Sequence, residues 1–264
     1  MDIQSLTKFY DRLYSDGKCS HYQECSKKCK FQLNFYRGRI GSHYGEGIPK
    51  IFIVGREPVF PKNYNGEKIS YSVTEPCTLA DAGYNDHYLR TFYTVAQLTM
   101  KENLPKSYQK NDMIDYENVR HNFFFTNFFK CVFTDIPDRT NKSENPFMCQ
   151  NCSKILLKEI ELLKPDIVIL QGKAYGKIWD LIDWHKDEPL VINEAEVHYP
   201  NRTCKYQQGL YKAELKNPHQ NHSFLIIDSY HPTSHGIWTT KEVFEDFNLI
   251  IKEALKVYNG NKAE

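Results

Sequence analysis

Three things are missing from this 264-residue sequence, and each absence removes a class of protein. No apolar run approaches the roughly 18–20 residues that a membrane-spanning helix needs, so an integral helical membrane protein is excluded. Net charge is nearly absent. At +1 it does not demand a nucleic-acid ligand, and only a local basic face remains open to one. There is no internal repeat, so the chain is not a stack of one unit. The first residues, Met1 to Leu6, also lack a signal-peptide pattern, and a cytosolic location is expected.

What is present argues for an ordered domain. Hydrophobic residues make up 41% and aromatics 14%, which speaks against disorder over most of the length. The chain is long enough for one large α/β domain or two small ones. Eight cysteines in a cytosolic protein point to metal ligation or buried thiols rather than disulfides. Three of them, Cys19, Cys25 and Cys29, cluster near Lys27, Lys28 and Lys30, a setting that suits a metal or an anionic partner.

Periodicity gives an alternating order. Ile3, Leu6, Phe9, Tyr10 and Leu13 recur at helical spacing over residues 1–16. Residues 36–49 are rich in glycine and read as a loop, whose Arg37 and Arg39 either meet phosphates or are simply solvated. Residues 50–54 are a buried strand. Asp86 caps a helix that runs to about Met100. The aromatic run 122–131 is a second strand, interrupted by Asn127. Cys149 to Cys152 open a helix that Pro165 closes, and 166–170 form a third strand. Gly172 turns into another helix. Residues 184–222 are polar and hold one or two edge strands. A fourth strand, 223–227, precedes a final amphipathic helix over roughly 240–257. Continuous apolar strands alternating with helices imply a three-layer α/β/α domain. Its central sheet is mostly parallel, has about four strands, and is flanked by helices. One domain is expected to take up residues 1–264.

The polar residues at the strand ends carry the chemistry. Gly55-Arg56-Glu57-Pro58 follows the first strand: a glycine for the turn, then a displayed carboxylate. Asn127 ends the second. His231 follows the fourth. Parallel strands bring such ends to one side of a sheet, so an acid, an amide and an imidazole would share one cleft. The amide of an asparagine both donates and accepts, which matches the edge of a pyrimidine.

These residues resemble the uracil-DNA glycosylase superfamily, and most closely its iron–sulfur branch, often called family 4. That branch has a Gly-Glu-Ala-Pro-Gly turn where this chain has Gly55-Arg56-Glu57-Pro58-Val59. Its Thr-Asn-x-x-Lys-Cys is matched by Thr126-Asn127-Phe128-Phe129-Lys130-Cys131. Its next cysteine opens a helix, as Cys152 does here, followed by a Leu-x-Pro at Leu163-Lys164-Pro165. Its His-Pro-Ser turn becomes His231-Pro232-Thr233. The acid stands one place later than in family 4, at the position where the best-known branch carries its water-activating aspartate. Segments 59–80, 101–121 and 184–222 are longer than the family requires, so an altered pocket is expected.

The resemblance implies a DNA partner, base flipping, and hydrolysis of an N-glycosidic bond. It implies Glu57 and His231 as catalytic residues, with Gly55, Arg56, Asn127 and an aromatic (Phe60 or Tyr84) around the base. Ile237 and Trp238 are available to fill the vacated stack, and each reads first as core. It also implies a structural 4Fe–4S cluster on Cys25, Cys29, Cys131 and Cys152. Cys19 is the reserve for Cys25, Cys149 competes with Cys152, and zinc is the alternative metal. Cys77 and Cys204 read as buried thiols. The alternatives are a glycosylase for another modified base and an inactive nucleic-acid-binding relative. A monomer without membrane contact is expected.

Overall fold

The computed structural model describes residues 3–15, 18–25, 31–35, 37–55, 95, 98, 119, 121–133, 146–172, 182–184, 188–199, 202–215, 222–229 and 241–261. Helix α1 is Ile3–Leu13, and its apolar stripe buries Leu6 and Tyr10. A short hairpin follows, β1 (Tyr14–Ser15) with β2 (Lys18–Cys19), and then a single helical turn, α2 (Tyr22–Cys25). The next strands are β3 (Phe31–Phe35), β4 (Arg39–Ile40), β5 (Ile51–Gly55), β6 (Phe123–Asn127) and β7 (Cys131–Phe133). Helix α3 is Pro146–Leu163. Strands β8 (Ile167–Gln171), β9 (Ile182–Trp184), β10 (Val191–Tyr199), β11 (Arg202–Leu215) and β12 (Ser223–Ser229) precede the last helix, α4 (Lys241–Asn261).

The main sheet has eight strands in the order β10-β11-β12-β8-β5-β6-β4, with β9 paired to β11. Its middle is the expected parallel group, β12-β8-β5-β6. The expectation of about four strands is corrected by the two antiparallel flanks. Residues 184–222 supply most of one flank, because β10 and β11 form a long hairpin whose far half pairs with β12. On the other side, Arg39 and Ile40 pair antiparallel with Phe125 and Phe124, inside a stretch expected to be loop. Arg39 is buried at 2% exposure, and Arg37 pairs with Asp11 at 2.8 Å. Of the two expectations for the pair, phosphate contact or solvation, the buried Arg39 meets neither, and Arg37 is engaged with Asp11.

Two cores cover the two faces. Phe52, Val54, Phe124, Val168, Leu170 and Ile226 pack against α1 and α3. Ile51, Ile53, Phe123, Phe125, Ile167, Ile169 and Ile227 pack against Phe247, Ile250, Ile251 and Ala254 of α4. The alternation of side chains along each strand produces this division. Each aliphatic side chain so removed from water contributes about 1.5–3 kcal/mol.

The parallel strands are flush at both ends. Phe123, Ile51, Ile167 and Leu225 stand abreast, and so do Thr126, Val54, Leu170 and Asp228. The near end is tied by Asp166. Its carboxylate accepts the Lys50 N–H at 2.7 Å, its own N–H donates to the Lys50 carbonyl at 2.9 Å, and its carbonyl accepts the Leu225 N–H at 2.9 Å. Among the described residues no helix is long and apolar enough to cross a membrane.

Candidate active site and thiol cavity

Strand β5 ends at Gly55 beside Asn127, the last residue of β6. The contact is close. A Cβ on residue 55 would stand 2.5 Å from the Asn127 Oδ1, so only glycine leaves room for that carboxamide. The Gly55 carbonyl accepts the Phe128 N–H at 2.8 Å, which carries the parallel ladder one bond past Asn127. Asn127 itself is 4% exposed. On the other side of the parallel group, the Ser229 carbonyl accepts the Gly172 N–H at 2.9 Å. Gly172 turns with a φ of 62°, a left-handed conformation that suits glycine.

Glu57, Arg56, Phe60, Tyr84, His231, Ile237 and Trp238 lie outside the described residues. The strands that lead to Glu57 and His231 are described. Glu57 follows Gly55 by two positions, His231 follows Ser229 by two, and both strands end on the same edge as Asn127.

Below that edge, on the α1 and α3 face, lies a polar cluster that periodicity did not reveal. Lys130 Nζ donates to Glu159 Oε1 at 2.6 Å and to Oε2 at 2.9 Å, with both side chains fully buried. Lys130 also donates to Thr126 Oγ1. Tyr10 donates its hydroxyl proton to Glu159 Oε1 at 2.5 Å and accepts the Gly38 N–H at 2.9 Å. Burial pulls the Lys130 amine below its ordinary value, and the adjacent Glu159 carboxylate acts against that pull. One signal was available in the sequence. Glu159 falls three and four residues from Leu156 and Ile155, on the apolar stripe of α3, where a carboxylate needs a buried partner.

Next to Lys130 a cavity is lined by Cys19, Cys25, Cys152, His21 and Asn151. Cys25 is the preferred N-terminal thiol and Cys19 the reserve; both reach this cavity. Cys152 lines it, whereas Cys149, one turn earlier, does not. The helix carrying both begins at Pro146, earlier than expected, with proline at its first position. Asn151 donates to Glu24 Oε2 at 2.9 Å and to Cys25 Sγ at 3.6 Å, which holds α2 against α3. Burial pushes the Cys152 thiol up to about 12, against the amide hydrogen bond and the charge of Lys130. Among the described residues no group of three or more His, Cys, Asp or Glu is gathered tightly enough to hold a metal ion. Cys29 and the side chain of Cys131 lie outside them, as does Cys77; the backbone of Cys204 lies in β11, opposite Val197.

A family model of the uracil DNA glycosylase superfamily matches residues 43–254. That span covers both strand ends, the Thr126–Cys131 motif, α3 and the segment of His231. The chain therefore belongs to the uracil DNA glycosylase superfamily. No curated protein matches the chain.

Proposed function

We propose that this protein is a DNA glycosylase that extrudes uracil or a related base and hydrolyses its N-glycosidic bond. The observation that carries the reading is the Gly55–Asn127 contact at the carboxyl edge of a parallel sheet, in a member of this superfamily. An extruded base needs a reader with both donor and acceptor. A buried carboxamide beside a residue without a side chain meets that need.

Breaking the bond places positive charge on the sugar and negative charge on the leaving base. Glu57 is assigned to the sugar side, where a carboxylate stabilises the cation and orients water. His231 is assigned to the base carbonyl, where a donor stabilises the anion. Phe60 or Tyr84 stacks on the base, and Arg56 meets a phosphate or a base substituent. The enlarged segments favour a base that differs from uracil as readily as uracil itself.

Within the superfamily, the iron–sulfur branch is the proposed affiliation. The donor chemistry fits it in part: Cys25 and Cys152 already share one cavity beside a lysine. Thiolates are what such a cluster takes, and Cys29 and Cys131 would complete the set. A cluster there would tie the N-terminal segment to α3, beside the Asn151 bonds that already join α2 to it. Zinc on four thiolates is the alternative.

The test is an excision assay on oligonucleotides that each carry one lesion: uracil, modified pyrimidines and deaminated purines. Wild type is expected to release at least one base, and Glu57→Gln to slow that release about 100-fold or more. Equal behaviour of the two proteins on every substrate would leave the inactive-relative reading in place. Broad visible absorption with iron present supports the cluster. A colourless zinc protein refutes it.

A further inference from the structure

We propose that the buried Lys130–Glu159 pair is a positioning clamp that sets the orientation of the Asn127 carboxamide; this builds on the reading of Asn127 as the base reader. Thr126 and Lys130 bracket Asn127, one residue before it and three after. Both close on the same carboxylate. Thr126 Oγ1 lies 3.4 Å from Glu159 Oε1 and also receives the Lys130 amine. Lys130 spans both oxygens of Glu159, at 2.6 and 2.9 Å. Tyr10 of α1 fixes the carboxylate from behind, and Gly38 fixes Tyr10.

Alternation along β6 gives the geometry its meaning. Phe124 packs on the α1 and α3 face with Thr126, while Phe125 packs on the α4 face. Asn127 follows Phe125 to that second face, where its Oδ1 leans over Gly55. The clamp therefore grips the backbone on either side of Asn127 from the face opposite its side chain. It can fix the amide without competing for its donors and acceptors.

Exchanging a buried ion pair for apolar residues of similar size generally leaves stability intact or raises it. What the pair adds here is direction: several hydrogen bonds at set angles to a rigid helix. A reader displaced by about 1 Å loses on the order of 100-fold in rate. That requirement gives a charged pair a reason to persist in a dry core.

The double variant Lys130→Met/Glu159→Leu keeps the bulk and removes the directed bonds. The first readout is the side-chain amide of Asn127 by NMR, assigned through its loss in Asn127→Ser. In wild type the two amide protons should give sharp, dispersed signals. In the folded double variant they should broaden or move to the position of a free asparagine. Unchanged signals in a folded double variant overturn the clamp. Should that variant not fold, Thr126→Val removes both bonds of the Thr126 hydroxyl at nearly constant shape and is read the same way. Movement of the signals supports the clamp, and identity with wild type overturns it.

The second readout separates the clamp from the function beneath it. With a released base in hand, kcat should fall about 10- to 100-fold while KM changes by less than about twofold. An unaltered kcat overturns the clamp and leaves the glycosylase reading standing. If wild type releases no base at all, that reading falls, and the amide signals still decide the clamp.

Discussion

The two faces of the central sheet are packed by opposite rules. Towards α4, the four parallel strands meet Phe247, Ile250, Ile251 and Ala254 with hydrocarbon side chains, and the polar Asn127, Gln171 and Ser229 enter only at the rim. Towards α1 and α3, the same strands share their core with Lys130, Glu159, Thr126 and Tyr10, and with the thiols Cys25, Cys149 and Cys152. The first face gains its stability chiefly from burial, which is non-directional. The second face gives up some of that simplicity for groups that bond at set angles. A sheet of this kind separates holding together from holding in place.

Four measurements test that separation, and the largest effect belongs to the polar face. Lys130→Met alone strands the Glu159 carboxylate in a dry core, and should cost about 3–5 kcal/mol in denaturant unfolding. A loss below about 1 kcal/mol would mean that Glu159 finds other donors or water, and the contrast between the faces would weaken. Tyr10→Phe removes one donor to Glu159 and one acceptor of the Gly38 amide, for a loss of about 1–3 kcal/mol. On the hydrocarbon face, Ile251→Val deletes one methylene and should cost about 0.5–1.5 kcal/mol. A larger loss there than at Tyr10 would reverse the ranking of the faces.

The smallest effect lies at the amino edge of the sheet, outside both cores. His222 bonds the Pro165 carbonyl at 2.7 Å, and burial lowers its pKa from the ordinary 6.5. The fold thus prefers the neutral ring. Its contribution is complete above about pH 6.5 and is lost as pH falls through the lowered value. His222→Gln should flatten the fall of Tm between about pH 6.5 and 5. A variant whose Tm falls as steeply as that of wild type would assign the acid sensitivity elsewhere.

Much of this architecture was legible because its signals are continuous. Apolar runs such as Ile51–Val54 and Ile167–Leu170 leave no doubt about strands covered on both faces. The glycine, the amide and the Thr126–Cys131 motif then gave the family. The flank β9–β11 was hard to read for the opposite reason. An edge hairpin is half exposed, so Glu194, Glu196 and Lys205 stand where a buried strand would have a continuous apolar run; their alternation was the signal available. Strand β4 has two residues, too few for any periodicity. The pair Lys130–Glu159 escaped because hydropathy assigns both residues to the surface, and only contact across the fold reveals the match. The cysteine choice split on spacing alone, and the fold brings Cys19 and Cys25 to the same hollow.

Asp166 stands at the opposite rim from all of this chemistry, yet it sets the height at which that chemistry begins. By gripping Lys50 and Leu225 at once, it gives β5, β8 and β12 a common origin. Strands of equal reach then deliver Gly55 and Ser229 to one level, and Glu57 and His231 each depart two residues later. Adding one residue to either strand would lift its terminus by roughly 3.3 Å and turn the next side chains to the other face. The level at which the chain leaves the sheet toward both residues is thereby set at its foot, by the carboxylate and backbone of one aspartate.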